Sequence, residues 1–198
     1  MKAILVVLMC FASATSLAGW GVFAGARSGT LDSSSFPSSG TVTYTANTQT
    51  TYEAGAFYRH LFNSWFGARV GAEVAQMSSS FSYTIPGFGN GAGTVTSTAF
   101  AAPLLLEAQL GSHFSVLAGG FYWTGNSVSC SYTGLSAGSA CVMGQGAGFG
   151  PQVGAGIMFT PSIELDLFYE PKVQASPAVG TSPAWTVTTI VADLVYNF

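Results

Sequence analysis

The chain has 198 residues, a net charge of −3 and only 7% charged side chains, against roughly 25% in ordinary soluble domains. Its mean hydropathy is +0.43, yet no run of about 18 apolar residues follows the first twenty positions, which excludes helical membrane spans. With Lys2 set aside, four basic residues face eight acidic ones, a balance that argues against nucleic acid as a partner.

The first element, "MKAILVVLMCFASATSLA", has one basic residue and then an apolar stretch too short to anchor. Small residues at Ser16 and Ala18 fit cleavage before Gly19, so residues 1–18 are expected to be a signal peptide. Cys10 lies inside the apolar stretch behind the bulky Met9, which does not suit lipid attachment.

Residues 19–198 then alternate with period two, the mark of strands with two different faces. Strands are expected at about 19–28, 50–60, 64–77, 94–109, 114–124, 148–159, 163–172 and 185–198. The links "LFNS", "LGSH" and "TPS" are tight. Those starting at "SGTLDSSSFPSSG" and "TIPGFGNGAG", the Cys-bearing segment and "VQASPAVGTSPA" are long and polar, and the serine-rich first one reads equally well as linker. Strict alternation of long and short links predicts an all-β fold: an antiparallel up-and-down transmembrane β-barrel of about eight strands, in one domain. Both ends and the short turns then lie on one side, and four long loops on the other.

Charge phasing orients the strands. Glu53 and Arg59 oppose Tyr52 and Tyr58; Arg69 and Glu73 oppose Phe66, Val70 and Val74; Glu107 opposes Leu104 and Leu106. Glu164, Asp166 and Glu170 oppose Ile163, Leu165 and Tyr169; Asp193 opposes Leu194; Arg27 opposes Trp20. An Arg or Lys facing lipid at the midplane costs about 2–4 kcal/mol, so these ten residues are expected inside the barrel as an ion network. An eight-stranded barrel leaves room only for side chains, which favours a plug over a conduction path or a catalytic carboxylate set. "FSVLAGGFYW" carries no charge, and its phase stays open.

The signal sequence, the strand rhythm and the closing "IVADLVYNF" resemble the small outer-membrane barrel family that includes the OmpA transmembrane domain, OmpX and the opacity proteins. The resemblance implies a monomer in the outer membrane of a Gram-negative cell, among lipid and lipopolysaccharide. It also implies that Ile190, Leu194, Tyr196 and Phe198 are read by the barrel assembly machinery. Loops of such a barrel would meet a host, phage or cell-surface ligand, which implies a non-enzymatic surface or envelope-integrity role.

Enzymatic alternatives find little support. The lipid-A-modifying PagL and PagP types need an outward-facing His, whereas His60 and His113 both fall at short turns. "GQGAGFG" lacks the Lys-Ser/Thr of a phosphate loop and precedes a strand. No catalytic, cofactor or metal site is expected. Cys130 and Cys141 are expected to form a disulfide in an outward loop, since an exported chain meets an oxidising compartment. Pro103, Pro151 and Pro171 fall inside expected strands, where each removes a ladder donor. Either the strands stop at Pro151 and Pro171, or the two mark a weakened seam, similar to the lateral opening of OmpW-type channels for small hydrophobic solutes.

Overall fold

A computed structural model describes residues 18–32, 43–134, 147–176 and 185–198. The expected signal peptide and its cleavage site fall largely outside these residues. Nine strands follow in chain order: β1 (Ala18–Leu31), β2 (Thr43–Asn47), β3 (Gln49–Leu61), β4 (Phe66–Ile85), β5 (Gly89–Leu110), β6 (Phe114–Gly134), β7 (Ala147–Thr160), β8 (Ile163–Ser176) and β9 (Trp185–Asn197). Only Thr48 separates β2 from β3, and both pair with β4, so together they form one wall of an eight-stranded antiparallel barrel. The ring closes where β1 pairs with β9, from Gly21↔Asn197 to Leu31↔Val187. Closure pairs backbone groups that lipid cannot satisfy and leaves no sheet edge within the bilayer.

Each short turn has a local cause. Asn63 Oδ1 accepts hydrogen bonds from the backbone N–H of Trp65 and Phe66 at 3.0 and 2.9 Å, fixing the β3–β4 turn. Thr160 Oγ1 accepts from Ser162 and Ile163 at the β7–β8 turn. The chain ends sit on this side as well, where the Phe198 N–H donates to the Trp20 carbonyl at 2.9 Å.

The outer face is apolar and bounded by rings. Trp20 and Tyr58 meet edge-to-face at 5.3 Å near the short-turn end, with Trp65 and Phe66 beside that end at 5.7 Å. Tyr52, Tyr122 and Phe149 are exposed near the other end. From Trp20 to Ala26, the residue opposite Tyr52, is six strand steps or about 20 Å, close to the height of a lipid-facing band between two aromatic girdles.

The structure changes the sequence expectation in two places and settles a third point that was open. "TIPGFGNGAG" is not a long loop. β4 and β5 pair up to Ile85↔Gly89 and turn over residues 86–88, where Pro86 precedes Gly87 at φ +82° and Phe88 N donates to Ile85 O at 3.0 Å. Pro followed by a positive-φ glycine is the demand of a type II turn. The number of long outward loops therefore drops by one from the expected four. β4, β5 and β6 run 20, 22 and 21 residues, and because about 9–11 residues cross a bilayer, a ribbon of sheet stands clear of the membrane. The phase of β6 is also settled: Leu117, Phe121 and Trp123 are buried inside, whereas Val116 and Tyr122 face out. Finally, strands β5, β7 and β8 run through Pro103, Pro151 and Pro171 and do not stop there.

In detergent, this fold predicts a β-type far-UV spectrum and a band that migrates differently in boiled and unboiled samples. A helical spectrum would refute it.

Candidate functional site

The ten charged residues phased from the sequence all lie inside the barrel, in two tiers. In the tier nearer the short turns, Arg59 and Arg69 stand directly opposite each other on β3 and β4. Like charges in that position repel. Two glutamates from the facing walls offset this. Glu107 Oε2 accepts from Nε of Arg59 at 3.0 Å and of Arg69 at 2.5 Å, and Glu164 accepts from Arg59 Nη2 at 2.5 Å and Arg69 Nη2 at 2.8 Å. Arg69 Nη1 donates to Asp166 Oδ2 at 2.7 Å, so every nitrogen of that guanidinium has an acceptor. Both arginines also lie over the Phe57 ring, at 5.9 and 5.2 Å from its centroid.

In the outer tier Arg27 donates to Glu53 and to Glu170, with Glu73 at 3.8 Å. Arg69 and Glu73 are four residues apart, about 13 Å along a strand. They do not meet: Arg69 reaches β5 and β8, and Glu73 reaches β1. Asp193 differs from the other six carboxylates. It is 4% exposed, and among the described residues no cation lies within 4.0 Å of it. Its side chain lies over Gly25 on the neighbouring strand, where a Cβ would sit 1.8 Å from Oδ1. Glycine at that position is what leaves the carboxylate room.

Neutral partners complete the plug, and reasoning from charge alone overlooked them. Gln109 donates to Glu107, Ser115 Oγ to Glu164 at 3.3 Å, Gln152 Nε2 to Glu170 at 3.1 Å, and Asn197 Nδ2 to Glu164 at 3.3 Å. All four occupy inward positions of their strands, so the signal was present in the same period-two phase. The central cavity measures about 30 Å³, room for one or two waters. Among the described residues, charged and neutral side chains fill most of this interior.

Among the described residues, the longest interruption in the wall lies between β7 and β8. β7 and β8 pair only as far as Val153↔Tyr169. Continuing that register sets Pro151 against Pro171, two residues without an N–H to donate. Beyond them β7 stays paired with β6, through Gly120↔Pro151 to Thr124↔Ala147, and β8 stays paired with β9. β8 bulges just after Pro171, where Lys172 takes φ +49° and the register with β9 shifts by one residue. Inside the break, the Gln152–Glu170 hydrogen bond bridges the two strands. Pro103 interrupts the β4–β5 ladder more briefly, between Val70↔Leu104 and Glu73↔Ala101.

Ile190, Leu194, Tyr196 and Phe198 are exposed on the outer face of the closing strand, and Tyr196 meets Phe198 edge-to-face at 5.1 Å. His60 is buried at the short-turn end with its ring 5.3 Å from Phe62, while His113 lies exposed in the β5–β6 turn, 2.7 Å from Ser112 Oγ. Neither reaches the outer tier. Cys130 lies on β6 opposite Val95. Cys141 and the start of "GQGAGFG" fall outside the described residues.

No protein-family model matches the chain, and no curated protein does. Solved structures do. Neisserial surface protein A superposes with a TM-score of 0.55 at 15% identity, over 92% of this chain and 100% of that one. OprG of Pseudomonas aeruginosa gives 0.48 at 14% identity, covering 91% and 96%. Ail, the attachment invasion locus protein of Yersinia pestis, in complex with the heparin analogue sucrose octasulfate, gives 0.46 at 11%, covering 91% and 99%. The chain has the fold of the small barrels of the Gram-negative outer membrane.

Replacing Arg69 with Met strands Asp166 and leaves Glu107 and Glu164 to Arg59 alone, and removing one partner of a buried ion network costs about 3–5 kcal/mol. The Arg69→Met barrel should therefore unfold at lower temperature than the native one at neutral pH. Acidification should narrow the gap, because protonation removes the unpaired charge. Thermal unfolding of both barrels in detergent across pH checks this.

Proposed function

We propose that the protein is a non-enzymatic surface barrel of the outer membrane, in which an ion-paired plug holds a rigid scaffold and the projecting strands and loops make the contacts. The observation that carries this reading is the tightly packed lumen, whose central cavity measures about 30 Å³. Rigid scaffolds commonly present binding segments on their connections. The extended β4–β5–β6 ribbon is suited to that task. From Val74 to Leu106 it has no Asp, Glu, Lys or Arg, and it is rich in Ser, Thr and Gly. Residues 1–18 are its signal peptide on this reading, and the mature protein is a monomer surrounded by lipid and lipopolysaccharide. A Cys130–Cys141 disulfide would brace the outward segment after β6; a ring of that size restrains the unfolded chain by roughly 3 kcal/mol. The barrel assembly machinery recognises Ile190, Leu194, Tyr196 and Phe198, so deleting Phe198 should leave the chain in the periplasm, as fractionation would show.

The seam supports a second reading, sideways release of a small hydrophobic solute into the bilayer between β7 and β8. Facing prolines end the ladder where such a solute would leave. Two measurements separate the readings. A surface protein should be silent in planar bilayers and give no swelling of solute-loaded liposomes, and shortening the ribbon beyond Met77 and Ser97 should abolish adhesion while heat-modifiable folding persists. A seam transporter should keep uptake of a hydrophobic solute after that shortening and lose it in Pro151→Val/Pro171→Val, which lets the ladder zip up. Uptake abolished by the valines would overturn the surface reading.

A further inference from the structure

Of the five basic residues in the chain, Lys2 stands at its start, three arginines lie in the lumen, and Lys172 is exposed outside it. The bulge on β8 produces this position. Glu164, Asp166, Phe168 and Glu170 all face inward, so plain alternation would send residue 172 into the lumen as well. Instead Glu170 pairs with Thr189 and Val173 with Val187, three steps on β8 against two on β9. Val173 takes the inward place, and Lys172 is left outside with its N–H donating to Thr188 Oγ1 at 3.3 Å. The bulge holds Lys172 at φ +49°, the one positive φ outside glycine among the described residues. Such outliers persist only where their surroundings over-determine them, and they cluster at sites that hold ligands. No carboxylate among the described residues lies within 4.0 Å of the Lys172 ammonium. Asp32, the one acidic residue outside the lumen, has its N–H bonded to Thr186 O, further out along β9.

Lys172 stands where the outer wall changes character. Outward positions of β9 run Tyr196, Leu194, Ala192 and Ile190, then turn polar at Thr188, the residue that Lys172 bonds. Continuing the β7–β8 register across the break sets residue 173 against Phe149, which is exposed in the outer aromatic ring. Aromatic rings of that kind sit at the level of lipid headgroups, and so does this ammonium. On the membrane side of it the wall is grooved. The small Ala118 and Ala155 are bordered by Val153, Leu167, Tyr169 and Ile190, leaving an open groove of about 510 Å³. That is the size of a small-ligand site. We infer that groove and lysine together hold lipid A, the phosphorylated acyl anchor of lipopolysaccharide. An acyl chain lies in the groove, and a phosphate meets the Lys172 ammonium. Charge complementarity favours this occupant: a second copy brings a wall with no anion except Asp32, whereas lipid A joins phosphate to hydrocarbon in one molecule. The inference rests on the reading above that surrounds the barrel with lipopolysaccharide, and it is independent of what the ribbon binds.

The test uses the folded barrel in detergent and native mass spectrometry with three added lipids: lipid A, lipid A stripped of its phosphates, and phosphatidylglycerol. Lipid A should bind about fivefold tighter than its dephosphorylated form, the factor one lysine contributes near an anionic membrane surface, and should displace phosphatidylglycerol. Lys172→Gly is the informative variant, because glycine takes a positive φ without steric cost and keeps the bulge. It should unfold at the same or a higher temperature, yet bind lipid A about fivefold more weakly, no better than the dephosphorylated form. Ala155→Phe, which fills the groove, should weaken both forms alike. Unchanged lipid A affinity in Lys172→Gly would overturn the site, as would equal binding of the dephosphorylated lipid or of phosphatidylglycerol. A lipid-free dimer that Ala155→Phe disrupts would give the groove to a second copy and overturn it too. Fractionation of the same cells separates the two levels of failure. A folded barrel in the outer membrane that takes up no lipid A overturns this site alone, and a barrel absent from that membrane overturns the surface reading with it.

Discussion

Three guanidinium groups inside the barrel, two of them buried, hold its centre, and much of the rest follows from what they require. Arg59 and Arg69 approach each other across the β3–β4 pair only because Glu107 and Glu164 reach in from the opposite walls. Those walls can be reached only in a barrel small enough for its side chains to meet across the axis, which is the interior of an eight-stranded closure. Closure and ion pairing are therefore one constraint: a wider barrel would hydrate the charges, and an open sheet would expose its edges to lipid.

Bulky charge in a narrow tube needs space taken from the wall. Gly25 supplies it beneath Asp193. The inward positions of β7 between Gly148 and Gly156 are glycine apart from Gln152, and the rings of Phe121, Trp123 and Phe168 lie against them. The plug is thus built asymmetrically, with β7 as a smooth wall and its neighbours supplying volume.

That same wall carries the break. Sheet closure asks each strand to donate on both sides, and Pro151 and Pro171 withdraw a donor from each side of one ladder at one level. Both strands persist because their other neighbours, β6 and β9, hold them. The plug lies below the break, and Gln152 and Glu170 belong to both, since their hydrogen bond bridges the two strands where the ladder has ended.

The sequence by itself determined which face of nearly every strand looks inward, because side chains alternate locally and a charge in lipid is too costly to misplace. It determined the short turns as well, and "IPGF" carried a type II turn that marks β4–β5 as a hairpin although composition suggested a loop. Only the tertiary structure decided who meets whom. Arg27 finds Glu53 and Glu170, 26 and 143 residues away, because the register between strands and the closing of the ring set those distances. The same register faced Pro151 with Pro171, cut the β7–β8 ladder there, and left Asp193 beyond the reach of any arginine. Alternation is a property of each strand alone, whereas register and closure belong to the whole ring, and no single segment encodes them.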